Sequence, residues 1–161
     1  MRGGVAPAAL LFLALGLALA FAPRSARVPS LLVLCATLGA FTFLPLPQAW
    51  LEGVFLGCWV SVIATAASVH LVRGLGPFTA LLLSLNAGIW AGAVSSLSGA
   101  RLDLLKALPC LLISVPASWV VRRHASVPVK VVSSWVMAVA VLAVTLQLLP
   151  VTPGYLPDHM E

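Results

Sequence analysis

Long apolar blocks with few charged residues follow one another along the whole chain. Six such blocks, separated by short loops, cover residues 5–22, 28–44, 48–72, 78–97, 104–121 and 129–149. A block of about 18 or more apolar residues is long enough to cross the hydrocarbon core of a bilayer as a helix. The pattern predicts an all-α integral membrane protein, with one transmembrane helical domain over 1–161 and a Pro-rich tail at 150–161.

The composition excludes a separate water-soluble domain. Only 8% of the 161 residues are charged and 61% are hydrophobic, whereas soluble domains carry about 25% charged residues. We therefore expect a bundle of six transmembrane helices. The second and fifth blocks are short for a core of about 30 Å, and Pro116 in the fifth predicts a kink. Five spans with a buried half-helix are the alternative.

Basic residues collect in alternate loops, which predicts the orientation of the chain. The loops after the first, third and fifth blocks hold six of the nine Lys and Arg residues, and all four acidic residues fall on the other side. Because short cytoplasmic loops are enriched in Lys and Arg, we expect both termini on the non-cytoplasmic side. The apolar blocks are rich in Ala, Leu and Val, a composition that favours a bacterial inner (plasma) membrane.

The first block resembles a secretory signal peptide, but the charge pattern argues against cleavage. A signal peptide inserts with its amino end inside and is cut outside. Cleavage near Ala20 would put the six Lys and Arg residues of the basic loops on the outside, against the charge rule. Pro23 directly after Ala22 is also a poor context for cleavage. The sequence therefore favours a first helix that is retained.

Small residues recur at helical spacing in the third and fourth blocks. The two stripes are Gly53, Gly57, Ser61, Thr65 and Ser68, and Ser84, Gly88, Gly92, Ser95 and Gly99. Spacings of three and four put each stripe on one helix face, where small side chains let helices approach closely in lipid. We expect the stripes to face each other at the centre of the bundle, with Gly53, Gly57 and Gly99 in helix packing.

Asn86 is the amide that lies closest to mid-membrane, about nine residues into its block. Such residues form hydrogen bonds between helices or contact a substrate or ion. In the second case the candidate lining is Asn86, Ser84, Gly88, Gly92, Ser95, Ser61 and Thr65.

A second candidate surface is a basic collar on the cytoplasmic side. Its members are His70, Arg73, Arg122, Arg123, His124 and Lys130. Lipid phosphates attract such residues beside a membrane, and a partner's acidic loop or an anionic substrate is the other candidate. We expect the lipid bilayer and anionic lipid head groups as partners, and no nucleic acid.

The residues that most chemistry requires are absent from the blocks. No charged side chain lies in the middle of a block, and ion and proton pathways usually rely on such residues. No His, Cys or carboxylate cluster has metal-ligand spacing, and no phosphate-binding glycine loop occurs. We therefore expect no enzyme activity, no catalytic residues, no metal and no cofactor.

We expect a small transporter, permease-type or channel subunit, which at this length would act as a homo-oligomer or with other membrane subunits. The alternative is a non-catalytic structural or assembly subunit of a membrane complex. A transporter requires a polar cavity that reaches Asn86, whereas a scaffold is dry there.

Overall fold

A computed structural model describes residues 5–71, 75–99, 101–123 and 126–149, with only the backbone of 101–103. Within these ranges the chain is helical and contains no strand. The helices are α1 (Val5–Ala20), α2 (Arg24–Phe43), α3 (Leu51–Ser68), α4 (Pro77–Ser98), α5 (Arg101–Ala107), α6 (Ser114–Arg122) and α7 (Val127–Leu148). Two 3₁₀ segments, Gln48–Trp50 and Leu108–Ile113, precede α3 and α6.

Five helical segments in the described residues are long and apolar enough to cross a membrane. They are Arg24–Phe43, Gln48–Ser68, Pro77–Ser98, Leu104–Arg122 and Val127–Leu148. The expectation that the second and fifth blocks are the short ones is wrong, because both reach spanning length. The short apolar helix is α1, with 16 residues, so length and composition give five spans and not six.

The short helix α1 lies at the centre of the bundle. It contacts α3, α4, α5, α6 and α7, and Leu11, Phe12 and Leu15 are fully buried. A helix that is apolar on every side has no face suited to water and packs where other helices surround it. Residues 5–20 are therefore an integral part of this fold.

Helices α3 and α4 run antiparallel, because Gly57 and Ser61 of α3 lie against Trp90 and Asn86 of α4, and the bundle has two distinct ends. Ser61 of α3 contacts Asn86 of α4, and Ser133 of α7 contacts Ala66 of α3. We call the end where α2, α4 and α7 begin the basic end. It carries Arg24, Arg27, His70, Arg122, Arg123 and Lys130.

Helix α2 begins before its predicted boundary, and the fifth span is irregular. The helix starts at Arg24 instead of residue 28 and includes Pro29. In the fifth span the regular helix stops at Ala107 and resumes at Ser114. The break is therefore wider than the kink predicted from Pro116 alone. Ser118 donates to the carbonyl oxygen of Val115 just beyond this break.

Candidate functional site

The side-chain amide of Asn86 is shared between two neighbours in the middle of the bundle. Its Nδ2 donates to Oγ of Ser61 on α3. Its Oδ1 accepts a hydrogen bond of 3.0 Å from Nε1 of Trp90, one turn further along α4. Asn86 is half-buried, and both ends of its amide are engaged. The residue therefore ties α3 to α4.

The indole of Trp90 packs against α3 at Gly57, beside the Asn86 amide, because glycine has no side chain there. A Cβ added at Gly57 would collide with the six-membered ring of Trp90. Gly57 precedes Ser61, the hydrogen-bond partner of Asn86, by one helical turn on α3. Gly57 is thus a packing position, and what it admits is a large aromatic ring. The four residues Gly57, Ser61, Asn86 and Trp90 form what we call the α3–α4 clasp.

The glycines of α4 face α2, so the expectation that the two stripes meet face to face is wrong. A Cβ added at Gly88 would collide with Thr37 and would lie 3.0 Å from the carbonyl oxygen of Leu34. At Gly92 it would lie 2.8 Å from Cβ of Phe41 and 3.0 Å from the carbonyl oxygen of Leu38. These contacts bring the two backbones together along parallel helices.

The partner stripe on α2 was missed because its members differ in size. Its buried positions recur every four residues, at Ala26, Ser30, Leu34, Leu38 and Thr42. Each step of four along α4 is matched by a step of four along α2, which brings Ser84 to the level of Ser30. The four-residue spacing is present in the sequence, but buried positions of mixed size do not stand out among the other apolar residues of α2.

Several buried hydroxyl groups have no hydrogen-bond partner among the described residues. They belong to Ser30, Thr65, Ser84 and Ser95. Thr65, Ser84 and Ser95 were candidate lining residues, and all three are buried in helix contacts. A buried hydroxyl without a hydrogen-bond partner costs free energy. Water or a polar solute that entered the bundle would find hydrogen-bonding partners in these groups.

Gly53 and Gly99 do not make the expected helix contacts. Nothing lies within 4 Å of a Cβ added at either position. Gly99 instead ends α4 in a left-handed conformation, with φ of 68°, which glycine adopts without steric cost. Gly53 borders an open pocket of about 210 Å³ with Glu52 and Gln147, at the end of the bundle opposite the basic end.

The described members of the basic collar lie at the basic end, within or just after α3, α6 and α7. His70 follows α3, and its Nε2 lies 3.3 Å from Oγ of Ser134 on α7. Arg123 stacks on Trp119, with Cζ 4.2 Å from the ring centroid. Arg122 and Arg123 are exposed, and Lys130 is half-exposed in the first turn of α7. Arg73 and His124 lie outside the described residues.

Arg27 is an additional basic-end residue that the collar did not include. Its Nη2 donates to the carbonyl oxygens of Ala20, at 3.1 Å, and Ala22, at 3.4 Å. A cation at the carboxyl end of a helix satisfies terminal carbonyls and interacts favourably with the helix dipole. The signal was the position of Arg27 seven residues after the end of α1, within reach of that helix end.

The cysteines and acidic residues form no site in the part of the chain that is described. Cys35, Cys58 and Cys110 are free thiols on different helices. No group of three His, Cys, Asp or Glu side chains there is arranged to hold a metal ion.

Comparisons with protein-family models, curated proteins and solved structures give no match. The site must therefore be interpreted from its own geometry.

Proposed function

We propose that this chain is a non-catalytic structural or assembly subunit of a membrane complex. The observation that carries the proposal is the engagement of Asn86. Its amide donates to Ser61 and accepts from Trp90, so the mid-membrane polar group that a transported substrate would contact is already used between helices. Interhelical hydrogen bonds of this kind typically stabilise membrane bundles by about 0.6 kcal/mol.

The packing around the clasp supports the same function. Thr37 and Phe41 of α2 occupy the space beside Gly88 and Gly92, and Ser84 is 0% exposed. The predicted lining is thus occupied by neighbouring helices. Large apolar side chains are left uncovered on the outer faces of several helices, and Leu32, Trp119 and Trp135 are examples that are more than half exposed. Lipid or another membrane protein would cover these faces.

The membrane topology forms part of the proposal. Helix α1 is the sixth span, retained in the functional protein, because it is enclosed by helices of spanning length. Its 16 residues extend about 24 Å at 1.5 Å per residue. The basic end faces the cytoplasm by the positive-inside rule, so both ends of the sequence face the opposite side. The membrane is a bacterial inner membrane, and the complex is a homo-oligomer or contains other subunits.

A transporter or channel subunit is the second candidate, favoured by the buried hydroxyls. Ser30, Thr65, Ser84 and Ser95 lack hydrogen-bond partners among the described residues. At membrane depth, water or a polar substrate would satisfy them. Transport would require α2 and α4 to separate, since Ser30 and Ser84 lie between these helices.

Crosslinking in intact membranes, followed by gentle purification and mass spectrometry, tests the proposal. A structural subunit is expected to retain a membrane protein, or a second copy of itself, in a fixed ratio. The purified chain should leave vesicles impermeable to small ions and polar solutes. Solute flux through vesicles that contain this chain alone, reduced by Asn86→Ala, would overturn the proposal in favour of transport.

A further inference from the structure

An apolar groove separates α6 from α7 near the basic end. It has a volume of about 190 Å³, and Leu17 of α1 forms its floor. Ile113, Ala117 and Val120 line one wall, and Pro128 and Val129 line the other. Since its lining side chains are apolar, the groove offers a ligand contact surface and almost no hydrogen-bonding groups.

The groove ends where positive charges are concentrated. Arg122 follows Val120 by two residues, and Lys130 follows Val129 directly. The Arg27 guanidinium reaches the carbonyl oxygen of Ala20, three residues beyond Leu17 in the groove floor. The apolar groove and a group of cations therefore lie at the same end of the bundle.

The cations at this end repel one another, and no described acidic residue offsets them. Arg24 precedes Arg27 by one helical turn on α2, and Arg122 ends α6 at the same end of the bundle. Nε of Arg27 is buried and has no hydrogen-bond partner among the described residues. The acidic residue whose side chain is described, Glu52, lies at the opposite end of α3. Guanidinium groups bind phosphate oxygens through paired N–H donors, so a phosphate would relieve this repulsion.

We propose that the α6–α7 groove binds one anionic phospholipid, with an acyl chain along the groove and the phosphate at Arg27 and Arg122. Basic pockets between transmembrane helices on the cytoplasmic side bind anionic head groups, and an acyl chain matches the apolar walls. The inference rests on the membrane topology proposed above, because the basic end must lie at head-group depth. It specifies a single lipid of one charge class, beyond general contact with the bilayer.

Native mass spectrometry of the full chain tests this site. The purified protein is mixed with equal amounts of phosphatidylglycerol and phosphatidylcholine that have identical acyl chains. The wild type should retain phosphatidylglycerol preferentially. Arg122→Gln should lower that preference about fivefold, the factor expected for one basic residue at an anionic membrane surface. Arg122 is exposed, so the change should leave the fold intact.

Two further variants separate the head-group contact from the acyl-chain contact. Ala117→Trp should fill the groove and reduce retention of phosphatidylglycerol while every charge remains. Lys106→Gln removes one positive charge from α5, away from the groove, and should leave the preference unchanged. Equal retention of both lipids by the wild type, or an equal loss in Lys106→Gln and Arg122→Gln, would overturn the lipid site.

A parallel measurement distinguishes failure of the lipid site from failure of the proposed topology. Membrane fractionation and protease protection report insertion and sidedness independently of lipid preference. A correctly inserted chain that retains both lipids equally contradicts only the lipid site. A chain whose basic end is on the non-cytoplasmic side contradicts the proposed topology as well.

Discussion

The α2–α4 contact is closed along its length, whereas the α6–α7 contact is open, although both pairs are apolar helices. In α4, Gly88 and Gly92 bring the backbone within reach of the Leu34 and Leu38 carbonyls. Before α6, a 3₁₀ segment over Leu108–Ile113 interrupts the regular helix of the fifth span, and the α6–α7 pair leaves the apolar groove. Helix packing in lipid depends on close backbone approach, so glycine spacing and helix regularity decide which contacts are tight.

The two contacts suit different roles. A closed contact stabilises the bundle and excludes water from the middle of the membrane. An open groove beside Arg27 and Arg122 is suited to a lipid. Substitutions that add volume to each contact in turn test this difference, with the free energy of unfolding as the measured quantity.

The largest effect is expected at Gly88. Gly88→Ala should destabilise the protein by about 1–3 kcal/mol, as overpacking does in a tight core, because the new Cβ collides with Thr37 and the Leu34 backbone. Reversible unfolding by SDS in mixed micelles measures the change.

Gly39→Ala on α2 is the matched control, since nothing lies within 4 Å of a Cβ added there. With no collision to offset it, the higher helix propensity of alanine should leave stability unchanged or raise it by up to about 1 kcal/mol. Equal effects of the two substitutions would contradict the close α2–α4 contact.

A smaller effect is expected in the α3–α4 clasp. In a double-mutant cycle, Ser61→Ala and Asn86→Ala should show a coupling free energy of about 0.6 kcal/mol, the average for interhelical hydrogen bonds in membranes. The same unfolding assay supplies the four free energies. Coupling indistinguishable from zero would mean that the hydrogen bond does not link the two helices.

The smallest effect is expected in the open contact. Ala117→Leu should change stability by no more than about 0.5 kcal/mol, because the groove of about 190 Å³ can receive the added atoms. The measurement is the unfolding curve under the conditions used for Gly88→Ala. A loss as large as that of Gly88→Ala would show that α6 and α7 are packed closely and that the comparison is wrong.

The helical fold was predictable because it depends on block length and charge, which are local properties. The described helix ends lie close to the predicted block boundaries, and α2 shows the largest difference at an amino end. The depth of each helix was not predictable in the same way. Helix α1 is apolar on all sides, and an apolar sequence does not distinguish a helix surrounded by lipid from one surrounded by other helices.

The arrangement of the candidate site followed from the sequence only in part. Asn86 was identified as the mid-membrane amide, and hydrogen bonding between helices was one of its two expected roles. The choice of α2 as the partner of α4 could not be made from glycine spacing, because a stripe identifies a contact face and not the helix that fills it. Arg27 was missed as a cap because its acceptors lie on a different helix.

Labelling of Ser84→Cys tests whether the middle of the bundle is closed to water, as the α2–α4 contact requires. The three natural cysteines are first replaced by alanine, and Gln48→Cys, at an exposed position, provides the accessible control. We predict that a membrane-impermeant maleimide labels position 48 when applied from the non-cytoplasmic side of intact membranes, and that it labels position 84, from either side, only after denaturation. Labelling of both positions at similar rates would contradict the closed bundle and favour a water-filled path through it.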